Sequence, residues 1–298
     1  MNLLKTQVAR LVLFAILLIP FKLLAQEYPI FLTDQGYIII EVKINDSISS
    51  NFILDTGGGA IVFSSKTFNK VKHSAVKAGH FTGFRHDGDR LDGEVYELPS
   101  IAIGNTKMDN PLVGVYPPLD DYGVEGLLSL KFFEDKPFTI DFVNSKIRIF
   151  SQDETIALSK NDIVLPMSFG IHGNTSLDIF IPIRLNDHTT IHAEFDTGSG
   201  YTTFLVNPYF IDELDLDRQQ AKVMPYTTPL SQKKLTDSIF SLEKVTFGTK
   251  KNRMVNNDIS ASFREGLIYE GLIGSGLFKN NQITIDIPNK QFIVHYKE

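Results

Sequence analysis

The sequence predicts an all-β chain built as two similar lobes, and three observations carry that prediction. Apolar residues alternate with others over strand-length stretches, at Ile38, Ile40, Val42 and Ile44 and again at Ile179, Ile181, Ile183 and Leu185. The second stretch repeats the first at an offset of 141 residues. Helical periodicity is scarce, with short helices expected only near Asn207 to Leu214 and Leu130 to Phe133.

The repeat fixes the order of the elements. After each alternating strand comes an Asn-Asp pair, Asn45-Asp46 and Asn186-Asp187, where a hairpin turn is wanted because both residue types tolerate turn backbone. The chain then returns through Phe52 to Leu54 and Ala193 to Phe195. Each return strand ends on the same triplet, Asp55-Thr56-Gly57 and Asp196-Thr197-Gly198, and Phe63 and Phe204 keep the offset of 141. Further on, Gly126-Leu127-Leu128-Ser129 with Phe138 to Phe142 parallels Gly271-Leu272-Ile273-Gly274 with Ile283 to Ile287, now at an offset of 145. Four extra residues therefore sit inside the second copy. Asp141 and Asp286 precede Asn144 and Asn289 by three residues and read as hairpin turns. Two copies are too few for a solenoid, so duplication into two lobes is expected, residues 26–153 and 154–298. The polar stretch Ser151-Gln152-Asp153-Glu154 marks the boundary.

Composition bounds the function. The 298 residues are 43% hydrophobic and 21% charged, with a net charge of -6. No basic run could track phosphates, so nucleic acid is not an expected partner. Lys5 and Arg10 precede the apolar run Leu11 to Ile19, then Pro20 and Leu23-Leu24-Ala25, the layout of a secretory signal peptide. Residues 1–25 are read as that leader, cut before Gln26, for a periplasmic or extracellular protein. No later segment approaches the ~20 apolar residues of a membrane span. The first strand is expected near Gly36, which leaves no room for a long inhibitory pro-segment. Cysteine is absent, so disulfides, thiolate metal sites and a thiol nucleophile are excluded. A monomer is expected.

The triplets carry the chemistry. One Asp-Thr-Gly would arise by chance in about 5% of chains this long; two at one repeat position are far rarer. A single copy would read as a strand-ending turn. That reading leaves unexplained why an aspartate ends a largely apolar strand twice, where a partly desolvated carboxylate needs a reason.

These segments, with a glycine-bearing landmark and an Asp-containing closing strand after each, resemble the aspartic peptidases of the pepsin and retropepsin type. The resemblance covers most of residues 36 to 298. It implies a pepsin-like or retropepsin-like double half-barrel, with Asp55 and Asp196 as a catalytic dyad on the cleft floor. It implies that Thr56 and Thr197 bond across to the opposite loop. It also implies that Gly57 and Gly198 let the backbone approach the carboxylates. Like charges ~3 Å apart cannot both ionise, so the pair would hold one proton, and its ionised member would activate a water. No cofactor and no metal are implied, and the partner would be a peptide or protein substrate. Ser199 follows the second triplet and can bond Asp196, whereas Gly58 follows the first and cannot, so the proton is expected more often on Asp55. Ser129 stands where the second copy has Gly274. A flap hairpin is expected within Gly79 to Gly93, with residues 226–238 as its counterpart.

Other chemistries lack support. The seven histidines show no His-Glu-x-x-His pattern, and neither a Gly-x-Ser-x-Gly elbow nor a Gly-x-x-x-x-Gly-Lys loop occurs. An aspartyl-phosphate enzyme would leave the duplicate triplet unexplained. Aspartic endopeptidase activity is the expectation, against the alternative of a non-catalytic peptide-binding protein that keeps the fold.

Overall fold

The computed structural model describes residues 26–151, 154–172 and 174–295. The leader assigned to residues 1–25, and Gln152-Asp153 at the lobe boundary, lie outside the described residues. Among the described residues no helix is long and apolar enough to cross a membrane.

Both lobes carry the same hairpin. Asn45 and Asp46 take φ of 50° and 58°, and Asn186 and Asp187 take 46° and 64°, the left-handed backbone that tight hairpin turns need. The N–H groups of Ser47 and His188 close the turns onto the carbonyls of Ile44 and Leu185 at 3.1 and 3.2 Å. These turns join strand Ile38–Ile44 to Ile48–Leu54, and Ser176–Leu185 to Thr189–Phe195. Alternation then decides what is buried, because side chains two apart share a face. Ile38, Ile40, Val42 and Ile44, and Ile179, Ile181, Ile183 and Leu185, all face one continuous core and are nearly inaccessible to water.

Each lobe curls its strands into one sheet, ten-stranded in the first lobe and eight-stranded in the second. The second closes on itself where Arg184 and Leu185 pair with Thr246 and Val245. A third, six-stranded sheet takes three strands from each lobe. Its middle pair, Phe138–Asp141 and Gln282–Asp286, sets Thr139 opposite Thr284. Their hydroxyls meet at 2.5 Å on the axis that relates the copies. From there a buried polar chain runs on through His295, with Nε2 2.7 Å from Thr284 Oγ1 and Nδ1 3.0 Å from Asp162 Oδ2. Every member has a partner, the condition under which buried polar groups stabilise. Around it Phe195, Phe278 and Phe292 pack ring against ring at 5.1–5.6 Å, and each buried ring contributes about 1.5–3 kcal/mol.

The two-lobed all-β reading holds, with differences in detail. The first strand is Gln26–Pro29, not one near Gly36, and it pairs with Lys146–Ile149 at the edge of the shared sheet. The expected short helices are a 3₁₀ turn at Leu130–Phe133 and a single α turn at Phe210–Glu213. A further helix, Ser65–Val71, starts where Ser64 accepts the Thr67 N–H at 3.2 Å. Asp141 and Asp286 are turn residues, accepting N–H groups from Asn144 and Asn289 at 2.9 and 3.1 Å.

Candidate active site

Asp55 and Asp196 each end a strand and are held there by the landmark of their own lobe. Gly126–Leu128 runs parallel to Ile48–Leu54, so the Leu128 carbonyl accepts the Asp55 N–H at 2.9 Å. Gly271–Ile273 does the same beside Thr189–Phe195, and the Ile273 carbonyl accepts the Asp196 N–H at 2.9 Å. The threonines lock the two loops together. The Thr56 N–H donates to Thr197 Oγ1 at 3.1 Å and the Thr197 N–H to Thr56 Oγ1 at 3.0 Å. Each hydroxyl then donates at 2.6 Å to a carbonyl of the opposite strand, Thr56 to Phe195 and Thr197 to Leu54. Both threonines are fully buried.

The glycines explain how the carboxyls come together. A Cβ on Gly57 would lie 2.5 Å from Asp196 Cγ, and one on Gly198 would lie 2.4 Å from Asp55 Oδ1. Any side chain at either position would therefore occupy the opposite carboxyl's space. Both aspartates are 9% exposed, enough for contact with a ligand and too little for full hydration.

The surroundings of the two carboxyls differ. Burial, then the adjacent Asp196 carboxylate, pushes the Asp55 carboxyl well above the usual carboxylate range, against the Gly57 N–H that holds it down. Asp196 Oδ2 accepts from the Ser199 hydroxyl. Gly58 has no such group, and a Cβ there would sit 2.7 Å from Asp55 Oδ2. The left-handed backbone in this loop is at Gly59, φ 59°.

Two further acids adjoin the pair. Burial and the Asp196 charge push Asp178 up to about 7. Burial raises Glu194 well above its usual range, with Asp196, Asp178 and Asp55 adding to it. Asp178 is 7% and Glu194 2% exposed. The Tyr269 phenol is driven upward by the same burial and by Glu194.

The first-lobe hairpin, Val76–Phe84 with Arg90–Glu97, lies where a flap hairpin is expected, and its tip is fastened to the second lobe. Asp89 Oδ2 accepts from the Leu230 and Ser231 N–H groups at 2.7 and 3.2 Å, and Asp89 Oδ1 accepts from the Ser231 hydroxyl. The Tyr226 hydroxyl donates to Asp87 Oδ2 at 2.5 Å, and the Ile268 N–H to the His86 carbonyl at 3.0 Å. Leu230 and Ser231 belong to the tip between Lys222–Thr227 and Lys234–Gly248, the expected counterpart hairpin. His86 itself is lowered, first by burial, and lies within range of the Asp196 charge.

The structure thus brings together all seven residues singled out from sequence: Asp55, Thr56, Gly57, Asp196, Thr197, Gly198 and Ser199. Asp178, Glu194, Asp89 and Ser231 escaped that reading. For the two acids a signal existed, since the first copy carries Tyr37 and Ile53 at their positions.

Residues 40–132 match the family model described as Aspartyl protease, so the first lobe, including Asp55, is aspartyl-protease-like in sequence. No curated protein matches the chain. Among solved structures, the chain is similar to conglutin gamma, a basic 7S globulin from lupine seeds, with a TM-score of 0.56 at 10% identity over 92% of this chain and 95% of that one. Basic 7S globulin from soybean gives a TM-score of 0.52 at 10% identity, covering 91% and 94%. The structure of edgp gives 0.51 at 12% identity, also covering 91% and 94%. At such identities the likeness is one of fold.

Proposed function

We propose that this protein is an aspartic endopeptidase of the pepsin and retropepsin type, exported from the cytoplasm, with Asp55 and Asp196 sharing one proton. The observation that supports it most is the reciprocal threonine bonding, which holds two buried carboxyls against each other with glycine behind each. Two like charges in such contact cannot both ionise. With Asp55 protonated and Asp196 ionised, the pair has an acid and a base facing one reacting centre.

In this reading Asp196 takes a proton from a water as its oxygen attacks the scissile carbonyl carbon. Asp55 hydrogen-bonds the carbonyl oxygen and passes it its proton as charge develops there, giving a gem-diol. The diol collapses as Asp196 gives its proton to the amide nitrogen, the C–N bond breaks and one diol hydroxyl returns its proton to Asp55, leaving a carboxyl, an amine and the starting pair. Ser199 holds Asp196 Oδ2 in place through its hydroxyl. The hairpin tip must release Leu230 and Ser231 for a peptide to enter, so opening belongs to the catalytic cycle. The substrate is a peptide or protein segment, and the working form is a monomer.

The test is to incubate the purified chain with a mixed peptide library, with and without a statine-type inhibitor, and to identify products by mass. Internal cleavage that the inhibitor abolishes supports the reading. Peptides retained without cleavage would instead make the chain a peptide-binding protein.

A further inference from the structure

Two copies of one unit let each lobe serve as a control for the other. In the first copy the cleft-side face beside the triplet carries Tyr37 and Ile53; in the second, the same positions are Asp178 and Glu194. Residues two apart on a strand share a face, so Glu194 lies on the side of Asp196 and Asp178 on the side of Phe180. Phe180 pairs with Glu194 across the two strands, and the same register carries Asp178 towards Asp196. A Cβ on Gly59, in the opposite lobe's loop, would lie 3.2 Å from Asp178 Oδ1. Both acids therefore stand at the seam of the lobes, next to the dyad.

Among the described residues, only burial and neighbouring acids bear on the two carboxyls. Glu194 Oε1 is buried without a hydrogen-bond partner among the described residues, and the charges that bear on Glu194 are Asp196, Asp178 and Asp55, all acidic. A buried carboxylate without a counter-charge is costly, and an apolar pair at these positions already serves the first lobe. Beside the acids, the rings of Phe180 and Tyr269 meet edge to face at 5.2 Å. A surface of two aromatic rings ending in two carboxyls suits an apolar stem that carries a cation. It does not suit a metal ion, since among the described residues no three His, Asp or Glu are grouped to hold one.

We infer that Asp178 and Glu194 form a specificity subsite for a cationic substrate side chain, lysine or arginine, beside the scissile bond; this rests on the peptidase reading above. The stem of that side chain packs on Phe180 and Tyr269 while its charge meets Glu194 and Asp178. An arriving cation favours the ionised forms of both acids, reversing the upward push that burial gives them in the empty site.

The experiment uses peptides with a non-cleavable statine-type centre, carrying lysine or norleucine at successive positions on either side of it. Each is titrated into the wild type, Glu194→Gln and Asp178→Asn, with matched cleavable peptides alongside. Glu194→Ile, which copies the first lobe, serves if the amide variant folds poorly. At one position the wild type should bind lysine at least about tenfold more tightly than norleucine, and that ratio should fall towards one in each variant. The inference is overturned if norleucine equals lysine at every position, if the ratio survives the substitutions, or if no such peptide binds. Lysine-selective binding without cleavage would keep the subsite and sink the peptidase reading. Cleavage without lysine selectivity would do the reverse.

Discussion

Thr56 and Thr197 exchange hydrogen bonds across the axis that relates the lobes, each N–H donating to the other's hydroxyl oxygen at 3.1 and 3.0 Å. The exchange is possible only between two copies of one loop, so it ties the duplication in sequence to the geometry of the site. The loops that carry Asp55 and Asp196 are thereby fixed relative to each other.

Thr56→Val keeps the shape and removes both bonds of the hydroxyl. The Phe195 carbonyl and the Thr197 N–H would then be buried without partners, at about 1–3 kcal/mol each. Urea unfolding should show a loss on the order of 2–5 kcal/mol, with Thr56→Ser restoring most of it.

The raised acids make stability fall with pH. Asp178 moves from its ordinary 3.8 to about 7 in the folded chain, so between those values the folded state binds more protons than the unfolded state. Its contribution is full below about pH 4 and is lost as pH rises through 7. Asp178→Asn should therefore stabilise the chain at pH 8, on the order of 2–4 kcal/mol, and change little at pH 4. Unfolding curves at the two pH values check the sign.

The hairpin fastening responds at the opposite end of the scale. Burial raises Asp89, but the Ser231 hydroxyl and the Leu230 and Ser231 N–H groups outweigh it and hold the carboxyl at about 2. The fastening is present above about pH 4 and lost as pH falls through 2. Asp89→Ala should speed amide exchange at Leu230 and Ser231 by about tenfold or more at neutral pH. Unchanged exchange would mean that the tip is held by other contacts.

Ser199→Ala removes the hydroxyl that donates to Asp196 Oδ2. Turnover of a cleavable peptide should fall by about tenfold while thermal unfolding stays cooperative. The converse change, Gly58→Ser, is constrained, because its Cβ would lie 2.7 Å from Asp55 Oδ2 and the loop would have to shift.

How much was legible in the sequence follows from the range of each interaction. The paired triplets, the Asn-Asp turns and the landmark strands are local patterns that recur at a fixed offset, and the structure places them together. The six-stranded sheet has no local signature, since Thr139 meets Thr284 across 145 residues. Strand Gln26–Pro29 exists only because Lys146–Ile149 gives it an edge. Asp178 and Glu194 sit at the alternate, outward positions of their strands, where an acid reads as solvated; packing of the lobes buries them. Comparing the copies residue by residue, Tyr37 with Asp178 and Ile53 with Glu194, exposes them.

The shared proton is tested most directly by steady-state hydrolysis of one cleavable peptide by the wild type, Asp55→Asn and Asp196→Asn, with thermal unfolding measured on the same samples. Each substitution removes half of the acid–base pair and should lower kcat by roughly 10²–10⁴-fold or more, while unfolding stays cooperative. A folded Asp55→Asn or Asp196→Asn variant that turns over within a few-fold of the wild type would contradict the dyad.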